Sequence, residues 1–248
     1  GLGGAGVYVE ASGKFIMNNI ASVTGNKISS ESNGGGVYVN GGTFEMNNDA
    51  SVADNKAYNS GSCCGGGVYV TGSKSGFTTN SVTFTMNDNA SVTGNIAIGR
   101  GTTLDGGGVY VSKGGTFTMN GNSKVTGNAA SGNKSGKDDG GGVYVSIGSK
   151  FIMNGEATSV SGNTATGSGG GVYVAGSFTM NGNASITDNT SAGNGGGVQM
   201  GTSRSTFAMN GTASVKDNKV TGSTSTGGGV YVFGSFTMAD RPTVMGNK

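Results

Sequence analysis

The sequence predicts an all-β chain, a parallel β-helix of about eight three-strand coils that takes residues 1–248 as a single domain. Three observations carry that expectation. A tripartite unit recurs eight times, beginning near residues 3, 34, 65, 106, 140, 169, 195 and 227. Within each part, apolar and polar positions alternate with the period of a strand that buries one face. The composition is also abnormal for an ordinary core, with 53 glycines and one proline in 248 residues.

The first element is a glycine run followed by a short strand. It reads GGAGVYV at 3–9, GGGVYV at 34–39, 65–70, 106–111, 140–145, 169–174 and 227–232, and GGGVQM at 195–200. The glycines predict a corner with no side chain to obstruct the coils above and below. In the strand that follows, the two valines point inward and the tyrosine outward.

The second element is F-x-M-N. Its middle position is Ile, Glu, Thr, Thr, Ile, Thr, Ala and Thr in successive units, a mixture suited to solvent, so Phe and Met face inward. Phe44, Phe84, Phe117 and Phe151, with Met46, Met86 and Met119, are expected to stack as columns of a continuous core. The third element, such as ASVTGN at 21–26, closes each unit on an asparagine that follows Gly or Asp in every unit. That pair suits a left-handed turn, and Asn55, Asn95 and Asn128 are expected to hydrogen-bond along the rod as an amide ladder.

Spacing separates rigid parts from tolerant ones. From each Phe to the central Val or Ile of the third element is eight residues in seven units and nine in the fifth. From the valine after the glycines to that Phe the count runs from 6 to 16, and between the closing Asn and the next glycines lie five to eleven residues. Two corners therefore accept insertions. The loops 56–64, 96–105 and 129–139, together with the 71–83 insertion, are expected to project side by side from the middle coils. At about 4.8 Å per coil the rod is about 38 Å long.

GGGV paired with F-x-x-N in every unit resembles the repeats of the chlamydial polymorphic outer membrane proteins, where GGA plus an aliphatic residue is paired with F-x-x-N. The resemblance spans the whole chain and keeps F-x-x-N in seven of eight units, losing it at Ala239. Gly replaces Ala in most units, and no barrel segment is present in this sequence. Related repeats occur in other bacterial surface proteins. The resemblance implies an autotransporter passenger: an exported, cell-surface β-helical adhesin.

Charge and composition narrow the function classes. With 15 basic and 13 acidic residues there is no case for nucleic acid or an anionic membrane as a partner. No apolar run approaches the roughly 20 residues of a membrane span, and no charged-then-apolar leader is present, so an export signal is expected outside this stretch. Leu, Ile, Val and Phe make up 44 residues, few enough to suggest disorder, but the balanced charge argues against it. Histidine is absent and the carboxylates are scattered, so the chain reads as non-enzymatic. No cofactor or metal is expected: the glycine runs lack the strand-to-helix setting of a phosphate loop, and Cys63 and Cys64 have no further Cys or His to complete a zinc site. A vicinal disulfide, an intermolecular bridge and two free thiols are all consistent with the adjacent pair.

Three outward features are candidates for binding. The first is the column Tyr38, Tyr69, Tyr110, Tyr144 and Tyr173, extended by Tyr8 and Tyr231 and broken at Gln199. Regularly spaced aromatics stack on sugar rings or form a protein interface; the alternative is that they only stabilise a sheet. The second is a ladder of hydroxyls, Ser22 with Thr24, Ser91 with Thr93 and Ser185 with Thr187, of the kind found in ice-binding solenoids but interrupted by Lys124, Lys216 and Met245. The third is the loop cluster, with Tyr58, Arg100, Asp105, Lys134, Lys137, Asp138 and Asp139.

The expected function is an extracellular or cell-surface, adhesin-like rod that binds a glycan or a surface protein of another cell. A structural subunit that self-associates into a surface layer or filament is the alternative, and a carbohydrate-active enzyme the third reading. Pro242 is expected to blunt the edge of the last coil, because it lacks an N–H.

Overall fold

The computed structural model describes residues 4–29, 33–59, 65–72, 74–75, 78–79, 82–99, 105–132 and 138–248. Among these the chain is all-β and its parallel sheets stack as a solenoid of about seven turns. The glycine-run strands, from Val7–Val9 to Val230–Tyr231, form one eight-stranded sheet, here the tyrosine sheet. The F-x-M strands, from Lys14–Met17 to Ser235–Met238, form a second, and the strands from Ser22–Thr24 to Thr243–Met245 a third.

Every coil but the last carries one strand more than the three expected. A fourth sheet of seven strands follows the closing asparagine, with Lys27–Ile28, Lys56–Asn59, Ile96–Gly99, Ala129–Ala130, Thr164–Ala165, Thr190–Ser191 and Lys219–Val220. The segments read as loops at 56–64, 96–105 and 129–139 thus begin as strands. In the 71–83 insertion, Lys74–Ser75 pairs antiparallel with Thr78–Thr79.

Register is like on like, because a one-residue slip would turn every inward side chain to solvent. Phe84 pairs with Phe44 and Phe117, and Met86 with Met46 and Met119. Phe44, Phe84, Phe117 and Phe151 are wholly buried, with ring centroids 4.7–4.8 Å apart along the column. That distance is one coil spacing.

The asparagine ladder forms along the rod. Asn55 donates both its N–H and its Nδ2 to Oδ1 of Asn95 at 3.0 Å, and Asn95 does the same to Asn128 at 2.9 and 3.0 Å. Asn128 in turn donates to Asn163. The residue before each Asn is left-handed, as at Asp54 (φ 55°) and Gly94 (φ 64°), the conformation that Gly and Asp tolerate best.

The fourth sheet explains the glycine run better than a simple corner does. Gly106 is left-handed (φ 70°). A Cβ on Gly107 would lie 2.3 Å from the carbonyl carbon of Ala129 in the fourth strand and 2.4 Å from Gly141 O of the next coil. The run therefore lets two backbones meet inside one coil as well as between coils.

Pro242 does not blunt an edge. In other coils the N–H at its position closes a local turn, as Ala90 N to Asn87 O (3.0 Å), whereas the intercoil bond is accepted by the carbonyl, as Ala213 O from Thr243 N (2.9 Å). A proline keeps that carbonyl and loses only the turn bond.

Candidate functional site

The tyrosine column stands on the outer face of its sheet, but beyond the exposed Tyr8 at its end its rings are half-buried, and Tyr69 is only 8% exposed. Two packing regimes divide it. Tyr110, Tyr144 and Tyr173 stack face to face, with centroids 4.7 and 4.8 Å apart and interplanar angles of 6° and 3°. Tyr8, Tyr38, Tyr69 and Tyr110 meet at 73°, 42° and 49° in succession. In that tilted stretch Asn40 Nδ2 donates to the Tyr8 hydroxyl (2.9 Å) and Ser112 Oγ to the Tyr69 hydroxyl (3.2 Å).

Face-to-face stacking changes what the column offers. The ring faces of Tyr144 are covered by its neighbours on both sides, so a sugar cannot lie on them. The column therefore meets a ligand through ring edges rather than ring faces.

A second column runs beside the first. The left-handed first glycine of each run folds back on the outer face, so that a Cβ on Gly140 would lie 3.0 Å from the Cα of Tyr144. The residue before that glycine is therefore carried to the tyrosine face. Its side chain accepts a backbone N–H from the next coil: Asp105 Oδ1 from Asp139 N (3.1 Å), Asp139 Oδ1 from Ser168 N (2.6 Å), Ser168 Oγ from Asn194 N (3.2 Å) and Asn194 Oδ1 from Thr226 N (2.9 Å).

The two columns share an electrostatic environment. Burial, reinforced by the charges of Asp139 and Asp105, pushes the Tyr173 hydroxyl up to about 12. Asp105 itself is pushed up to about 7, chiefly by burial; the Asp139 N–H works against that shift, and the charges of Asp139 and Asp138 add to it. Asp138 is fully buried, and its carboxylate accepts a long hydrogen bond from Thr166 Oγ1 (3.4 Å). Among the described residues no group of His, Cys, Asp and Glu side chains converges as a metal ion requires.

The structure brings together Tyr110, Tyr144, Tyr173, Asp105, Asp138 and Asp139, with Tyr38 and Tyr69 further along the same face. Tyr58 stands apart: it belongs to the fourth sheet, under the Lys27 ammonium (4.7 Å to the ring centroid). Arg100, Lys134, Lys137, Cys63 and Cys64 lie outside the described residues. Sequence reasoning missed Ser168 and Asn194, which continue the acidic column. Aligning the units on their first glycine places a polar acceptor before it in Asn33, Asp105, Asp139, Ser168 and Asn194, and that signal was available.

Comparison with known proteins finds no matching family model, no matching curated protein and no matching solved structure.

Proposed function

We propose that this chain is a non-enzymatic, extracellular β-helical surface protein of the adhesin type, whose tyrosine face binds a glycan or a protein of another cell. One observation carries the reading: Tyr110, Tyr144 and Tyr173 stand at single-coil spacing beside Asp105 and Asp139 on a rigid scaffold. Phenol rings repeated at one-coil spacing beside a column of polar side chains suit a ligand that is itself repetitive, and many weak contacts in register add up through avidity. The likeness of the GGGV and F-x-x-N units to chlamydial surface repeats supports export.

An array of glycans and cell-surface proteins tests it. The triple variant Tyr110→Phe, Tyr144→Phe, Tyr173→Phe keeps the stacked rings and removes the hydroxyls, so binding to the selected ligand should fall sharply. Unchanged binding would remove this face from the proposal.

A second reading, a carbohydrate-active enzyme, is favoured by Asp105 beside Asp139, its carboxyl raised by burial to about 7, within the range of a general acid. It predicts turnover of some polysaccharide that is lost in Asp105→Asn. Binding without turnover across a broad polysaccharide panel leaves adhesion as the function.

A further inference from the structure

The corner between the tyrosine sheet and the phenylalanine sheet changes length from coil to coil. It takes four residues (146–149) in the fifth coil, two (175–176) in the sixth and five (201–205) in the seventh. A short corner between two long ones leaves a notch of about 320 Å³, floored by Ala175, Gly176 and Ser177 and walled by Ile147, Lys150 and Arg204. The flanking coils are two spacings apart, about 9.5 Å between backbones, which leaves a slot the thickness of one ring.

Its chemistry is one-sided. The lining is mostly apolar, and Ile147 is 68% exposed beside it. Both charged groups on its rim, Lys150 and Arg204, are cations, and no Asp or Glu lines it. Neither cation takes part in the single salt bridge found among the described residues, Lys14 with Glu45.

The main chain of the floor is already engaged. Ala175 N and Gly176 N donate to Val145 O, Ser177 N donates to Ser149 O, and Gly176 O accepts from Thr206 N. Ala175 O accepts from Thr202 Oγ1. An extended peptide therefore has no strand edge to pair with here, and recognition falls to a compact group held by its faces and its charge.

We propose that this notch binds a carboxylate-bearing sugar ring, the uronate of an acidic polysaccharide. The C–H face of the ring packs on Ile147 and Ala175, and the carboxylate is held by the Arg204 fork and the Lys150 ammonium. The site lies at a different corner from the acidic column and stands whether or not the tyrosine face binds anything.

Calorimetric titration of the intact chain with trigalacturonate, at low and at physiological salt, tests it. Saturable binding that weakens with salt is expected, and Arg204→Gln and Lys150→Gln should each lower the affinity about tenfold, the worth of one charge-assisted hydrogen bond. Both side chains are exposed, so these variants should melt like the parent chain. Replacing Ala175–Gly176 by the four-residue corner of the fifth coil fills the notch and should abolish binding with both cations in place. The proposal is overturned if trigalacturonate does not bind at low salt, or if neutral trigalactose or a glutamate-rich peptide binds as well. Binding indifferent to Arg204→Gln and Lys150→Gln overturns it equally.

Discussion

Two aromatic columns climb this rod one coil at a time, one inside and one outside, and they pack differently. All seven contacts of the phenylalanine column, from Phe15 to Phe236, are stacked at 4.7–5.1 Å with interplanar angles of 4–12°. Along the tyrosine column the angle ranges from 3° to 73°. Both columns have the same repeat and the same register, so spacing alone does not orient a ring. Inside, close packing leaves one orientation. Outside, each ring answers to its neighbour in the next coil: Asn40 and Ser112 bond the hydroxyls of Tyr8 and Tyr69, whereas the ring of Tyr173 lies against Gly201, where a Cβ would come within 2.6 Å of three of its atoms.

The largest break in this comparison should come from truncating one ring of each column. Phe117→Ala opens a cavity between Phe84 and Phe151 and is expected to cost about 3–5 kcal/mol. Tyr144→Ala loses two half-exposed ring contacts and should cost about 1–2 kcal/mol. Urea unfolding followed by circular dichroism measures both, and equal costs would mean that the outer column is as much a core as the inner one.

A somewhat smaller loss is expected at the buried ladder. Asn128→Ala leaves the backbone N–H of Asn95 without its acceptor in a buried site, while Asn95 Nδ2 keeps Val52 O and Thr93 O, at a cost of about 2–3 kcal/mol. The same urea experiment reads it. A cost near zero would show that the backbone ladder holds the register without the amides.

The outer face, where Asp105 lies beside the tyrosine column, should respond to pH where the inner column cannot. The folded-state pKa of Asp105 lies above its ordinary 3.8, at about 7, so the folded state holds the proton more tightly. Its contribution to stability is full below the ordinary value and is lost as pH rises through about 7. Melting temperature should therefore decline over that interval. Asp105→Asn keeps the acceptor for Asp139 N without the charge, as Asn194 does for Thr226 N, and should flatten the decline.

The smallest effect expected is a gain. Ser123 is wholly buried, and its hydroxyl has no hydrogen-bond partner in the structure. Five other coils place alanine there, at Ala21, Ala50, Ala90, Ala184 and Ala213. Ser123→Ala should stabilise the chain by about 1 kcal/mol. Destabilisation on thermal unfolding would point to an unseen partner for that hydroxyl.

From sequence alone the unit, its three longer strands, the Phe and Met columns, the asparagine ladder and the left-handed residue before each Asn could all be read. Each rests on a bulky apolar residue or a turn pair recurring at fixed spacing, and such signals are local. The fourth sheet escaped because most of its strands span two residues and point a small side chain inward, as Ala57, Ala97 and Ala130 do; two residues cannot display a period of two. Only the tertiary structure decided what lies side by side. Asp105 reaches the tyrosine face because a glycine run folds back over it, and the notch at Ala175 exists because neighbouring coils turn the same corner with different lengths of chain. Both are relations between coils that adjacency along the chain does not encode.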